Sequence, residues 1–158
     1  MGWGRTDRVL SRRLRVLRTT SAHHVARLTS NVSHRTSRDH IAQVNVDLYP
    51  VQAGDSLSLT LVSTLNQDGS GMPVGDPGQQ VYDPSVPFRS TNADDYEYVM
   101  FGKVFKYKDA RRKGGSDTVN AEVFASFGGL LMHLSGTPDR LKELDVDQSL
   151  YLMIRKVA

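Results

Sequence analysis

The chain has 158 residues, which favours one domain and gives enough surface to bury a core without covalent staples. It contains no cysteine, which excludes a disulfide framework, thiolate-held clusters and a cysteine nucleophile, and its apolar runs fall far short of the roughly 18–20 residues a membrane span needs. The formal charge of +3 hides an asymmetry: residues 1–40 hold nine Arg against two Asp, a balance of +7, while residues 41–158 balance at −4. Total charge alone therefore makes no case for nucleic-acid binding.

Residues 1–24 form an Arg-rich segment unlike the rest. Arg5, Arg8, Arg12 and Arg15 share one side of a helical wheel, and Leu10, Leu14 and Leu17 share the other. The segment reads as a cationic amphipathic helix, with three roles open: a mitochondrial-type presequence, a solvated basic arm near nucleic acid, or an extension without function. The domain proper is expected over residues 25–158.

From Val25 onward the period is two. Val44, Val46 and Leu48 alternate with polar neighbours until Pro50, and Gly54-Asp55 marks a turn. Leu57, Leu59 and Leu61 alternate with Ser56, Ser58 and Thr60, the pattern of a half-buried strand. Residues 66–92 are rich in proline and glycine and read as a long inserted loop. Tyr96 to Tyr107 reads as an aromatic strand with a bulge or bend at Gly102. Arg111-Arg112-Lys113-Gly114-Gly115 reads as a hairpin tip. Val119, Ala121, Val123 and Ala125 alternate, Gly128-Gly129 interrupts, and Leu130–Leu134 continues as a strand. Thr137-Pro138-Asp139 predicts a short helix, with Thr as N-cap and Pro in its first turn, running to about Leu144. Leu150 to Ile154 is a last strand. The expected fold is all-β: an antiparallel barrel or sandwich of seven or eight short strands, one short helix and one long loop.

Catalytic signatures are weak. The five histidines match no zinc spacing, and no nucleophile elbow or phosphate loop is present. Asp94, Asp95 and Glu97 are the nearest approach to an acid/base or metal cluster, against a plain reading as the acidic entry to a strand. No catalytic residue, metal or cofactor is expected. Gly128-Gly129, with Leu130 and Met132 beside them, mark either a sharp bend closing the barrel or a flat place where a partner backbone lies.

Three segments in order carry a resemblance. They are Val44-Asn45-Val46-Asp47-Leu48-Tyr49-Pro50-Val51 with Gly54-Asp55-Ser56-Leu57 and Ser63-Thr64-Leu65-Asn66, then Ala93 through Val104, then Ser126-Phe127-Gly128-Gly129-Leu130-Leu131-Met132 with the terminal Tyr151-Leu152-Met153-Ile154-Arg155-Lys156. Together they resemble the small common subunit shared by eukaryotic nuclear RNA polymerases I, II and III, the subunit-8 family. The resemblance implies an OB-like antiparallel β-barrel of two half-barrels with a long central loop. It implies a non-catalytic structural subunit, located in the nucleus, docked on the largest polymerase subunit and supporting assembly. It also implies a weak affinity for single-stranded nucleic acid through the early strands, where Arg27 is the one residue carried over. Members of that family begin with an acidic-aromatic first strand. Here Arg-rich sequence stands in its place, so the first strand is either replaced, around Arg15–Thr20, or missing. The alternative to a polymerase subunit is a free, organellar OB-like protein that binds single strands. An enzyme built on Asp94, Asp95 and Glu97 is the third reading.

Overall fold

The computed structural model describes residues 8–15, 21–22, 25–31, 39–66, 90–109 and 121–157. The strands are β1 (Arg8–Arg15), β2 (Ser21–Ala22), β3 (Val25–Asn31), β4 (Asp39–Asn45), β5 (Ser56–Val62), β6 (Tyr98–Asp109), β7 (Ala121–Phe127), β8 (Leu130–Gly136) and β9 (Ser149–Lys156). They make one nine-stranded sheet in the order β1-β5-β9-β6-β7-β8-β4-β3-β2, with every pairing antiparallel. The sheet curls enough for β1 to approach β3. The fold is all-β as the period-two patterning predicts, and its last strand in sequence, β9, lies between β5 and β6.

The core fills the concave side. Ala121, Val123, Ala125 and Phe127 alternate inward along β7, and Leu57, Leu59 and Leu61 do so along β5. Leu150, Leu152 and Ile154 of β9 are fully buried between them, each contributing roughly 1.5–3 kcal/mol. The one-turn helix α1 (Pro138–Leu141) and its exit add Leu141 and Leu144 to the same cluster. Pro138 stands in its first turn as expected, whereas Thr137 makes no side-chain cap bond and the helix ends at Leu141 rather than near Leu144.

Several local readings are corrected. The helical wheel of the Arg-rich segment gives way to strand β1 for residues 8–15. Leu10 and Leu14 are four apart, which places them together on a helix face and equally on a strand face. Pairing decides: β1 lies along β5, with Leu10 opposite Leu61 and Leu14 opposite Leu57. The alternation of Val44, Val46 and Leu48 does not continue as a strand, because β4 ends at Asn45. The Asn45 side-chain oxygen accepts from the backbone N–H groups of Asp47 and Leu48, turning the chain; Leu48 is left 75% exposed and Tyr49 is buried. The bulge of β6 falls between Val104 and Lys106, not at Gly102. Gly102 serves close approach instead: a Cβ there would collide with the Ser126 carbonyl oxygen and lie 2.6 Å from the Phe127 ring. Gly128 and Gly129 do not bend a continuous strand. They are the two central residues of the β7–β8 hairpin turn, at φ +59° and +93°, with Phe127 opposite Leu130. Two positive φ values in a two-residue loop are the mark of a type I′ turn.

Residues 67–89 of the predicted long loop, the tip at 111–115 and much of 1–24 lie outside the described residues. The two ends of the loop are tied together: Asn92 N–H donates to the Leu65 carbonyl at 2.9 Å, and its side-chain amide donates to the Asn66 carbonyl.

Candidate docking surface

The acidic residues at the head of β6 hold the fold together. Asp94 accepts from the Thr91 N–H in a capping box over the short 3-10 turn Asn92–Asp95. Glu97 Oε2 accepts from the Tyr49 hydroxyl at 2.6 Å and from the Lys156 N–H at 2.9 Å. These two donors hold the Glu97 carboxyl below the usual carboxylate range. Burial, then the Glu97 carboxylate, pushes the Tyr49 phenol well up. Tyr49 stacks on Tyr98 at 5.3 Å, and the Lys156 ammonium pairs with Asp55 at 3.3 Å. The loop 46–55 is thus fastened to the start of β6 and the end of β9. Among the described residues no group of three His, Asp or Glu side chains is arranged to hold a metal.

The other singled-out residues are scattered. Arg27 stands on β3 opposite Gln43. Gly128 and Gly129 form an exposed turn, Leu130 packs partly against the core, and Met132 is buried inside it. His133 stacks on Phe124 at 4.7 Å, so it belongs to an aromatic cluster.

The convex face presents something different. The aromatic residues of 96–107 separate by the pleat of β6. Tyr98 and Tyr107 pack against the core, while Phe101 and Phe105 are exposed outward, at 37% and 49%. Phe101 lies against Tyr151 of β9, centroids 4.9 Å apart, and Phe105 lies against Phe124 of β7 at 6.2 Å. Burial pushes the Tyr151 phenol up. Leu131 of β8 is also half exposed. Lys103, Lys106 and Lys108 are interleaved on β6, with the Lys108 ammonium 5.4 Å over the Phe124 ring. Phe124 and Leu131 were not singled out in the sequence. The signal for both was present: Phe124 falls between Glu122 and Ser126 on the wet side of an alternating strand, and Leu131 falls out of phase with Met132 and Leu134.

The chain that folds into this sheet matches a known family along most of its length. The family model described as RNA polymerase Rpb8 matches residues 17–156. The chain belongs to that family. A relative from Arabidopsis thaliana, named DNA-directed RNA polymerases II, IV and V subunit 8B, is 37% identical over 125 residues, covering 79% of this chain and 77% of the relative. A relative from Caenorhabditis elegans, named as probable subunit RPABC3 of RNA polymerases I, II and III, is 38% identical over 116 residues, 73% of this chain and 72% of its own. The Saccharomyces cerevisiae subunit RPABC3 is 37% identical over 113 residues, 72% of each chain. Relatives named as polymerase subunits do not favour a free single-strand-binding protein. The Rpb8 match begins at residue 17, so the whole of β1 precedes it.

Proposed function

We propose that this chain is a non-catalytic structural subunit of nuclear DNA-directed RNA polymerases, docked on the largest subunit and supporting assembly of the enzyme. The observation that carries this reading is membership of the Rpb8 family over residues 17–156. The fates of the acidic residues support the non-catalytic part: Asp94 is committed to a cap and Glu97 to a latch, both structural tasks. The relatives' names divide between polymerases I, II and III and polymerases II, IV and V.

The test is affinity purification of the tagged full-length chain from nuclear extract, with the bound proteins identified by mass. Recovery of the largest subunits of several RNA polymerases, with no turnover by the chain itself, is the expected result. Folded protein that recovers no polymerase subunit would overturn the reading.

A further inference from the structure

The convex face changes character along its length. Thr60, Met153 and Val62 lie on it and are nevertheless at most 1% exposed. Over this part the Tyr96 hydroxyl donates to Thr60 at 2.9 Å, and the Arg155 guanidinium lies 5.5 Å over the Tyr96 ring. Beyond β9 the same face is open at Phe101 and Phe105 of β6 and at Leu131 of β8. Large apolar side chains grouped on one face in this way mark an interaction surface.

Charge and ring geometry say what fits there. Three exposed lysines, Lys103, Lys106 and Lys108, stand among the phenylalanines on β6, a basic stripe on a body whose balance is −4 over residues 41–158. Opposite Lys108 stands Glu122. The rings offer poor platforms for bases. Phe101 and Tyr151 are tilted by 50°, Phe105 and Phe124 by 45°, and Phe124 already has His133 stacked on it and a lysine over it. Clefts between tilted rings take aliphatic and aromatic side chains, and the ammonium groups around them take carboxylates.

We infer that the convex face of β6, β7 and β8, centred on Phe101, Phe105 and Leu131, seats a segment of a polymerase subunit that carries apolar side chains interleaved with Asp or Glu. This rests on the polymerase-subunit reading above and names the surface and partner chemistry for it.

The test compares the tagged full-length wild type with two double variants, Phe101→Ser/Phe105→Ser and Lys103→Glu/Lys106→Glu, in the same nuclear-extract purification at rising salt. Circular dichroism melting checks the fold of each. The lysines are exposed, so the charge-reversed chain keeps the test valid if the phenylalanine variant unfolds. Both folded variants are expected to recover the polymerase partner about tenfold less well or worse. Wild-type recovery is expected to fall with salt more steeply than that of the charge-reversed chain. If wild type recovers polymerase and the folded variants do so equally, the inference is overturned while the functional reading stands. If wild type recovers none, the functional reading fails and takes the inference with it. Unchanged polymerase recovery with lost binding of a fluorescent oligothymidylate would overturn the inference in favour of nucleic acid. Unchanged recovery with a lowered melting temperature would overturn it in favour of a segment of this chain covering the face.

Discussion

The Tyr49 hydroxyl donates a 2.6 Å hydrogen bond to Glu97 Oε2 across 48 residues of sequence. The same oxygen accepts from the Lys156 N–H, so one carboxylate joins the loop after β4, the head of β6 and the end of β9. Tyr49→Phe removes one of the two donors and leaves the ring stacked on Tyr98. A charge-assisted bond near the surface is worth about 1 kcal/mol, and that loss is expected in urea unfolding. An unchanged midpoint would show that the latch contributes nothing.

The same carboxylate sets an acid limb. Hydrogen bonds from Tyr49 and Lys156 lower the folded-state pKa of Glu97 beneath its unfolded value. The unfolded chain therefore binds more protons in that range, and stability rises with pH there. The contribution is fully present above the unfolded pKa of a glutamate and is lost as pH falls through the lower folded value. Asp55 shifts in the same direction, chiefly through the Gln52 N–H, so its contribution too is lost as pH falls through its own lowered value. Glu97→Gln is expected to flatten the decline in melting temperature below the usual glutamate range. A slope identical to wild type would refute the assignment.

Gly102 faces the neighbouring strand too closely for any side chain. Its Cβ position is occupied by the Ser126 carbonyl and crowded by the Phe127 ring. A backbone oxygen cannot swing aside as a side chain does, so Gly102→Ala must separate β6 from β7. A loss of about 3 kcal/mol is expected on equilibrium unfolding. Gly136 offers the control for space, because its φ is ordinary and a Cβ there meets only the Leu141 side chain at 3.7 Å, an ordinary van der Waals contact.

Asp147 is the one non-glycine residue with positive φ among the described residues, at +69°. Its N–H donates to the Val104 carbonyl at 2.8 Å, while Val104 N–H donates to the Gln148 carbonyl, which starts β9 in register beside β6. Asp147→Gly relieves the left-handed strain and is expected to stabilise by about 0.5–1 kcal/mol in the same melts. A β-branched residue there should destabilise instead.

Strand content was legible because burial on one face imposes period two, and β5 and β7 carry it cleanly. The resemblance located the family because its motifs fall in three separated, ordered segments. What sequence misread has a common cause. A four-residue spacing fits both a helix and a strand, so β1 required its partner β5 to be recognised. Val46 and Leu48 kept the alternation in letters, while the Asn45 side chain turned the backbone away. Gly102 and Gly128-Gly129 both read as interrupted strands, although one is a steric requirement of the neighbouring strand and the other a turn. The outer face was half visible: aromatic residues on β6 were noted, but only the pleat separates Phe101 and Phe105 from Tyr98 and Tyr107.

The Gly128-Gly129 turn separates backbone demand from crowding. A Cβ at either position meets nothing within 4 Å, so any cost of substitution comes from φ alone. At Gly129, with φ +93°, valine is strained whatever the space, and Gly129→Val is expected to cost about 2 kcal/mol or more. Gly128, with φ +59°, sits in the left-handed helical region that asparagine tolerates, at the first central position of a type I′ turn. Gly128→Asn is therefore expected to fall within about 0.5 kcal/mol of wild type. Comparable losses from both substitutions would mean that something other than turn geometry, such as a partner seated on the hairpin, requires the glycines. Measuring the melts with the isolated chain and again with the polymerase partner bound separates those two origins.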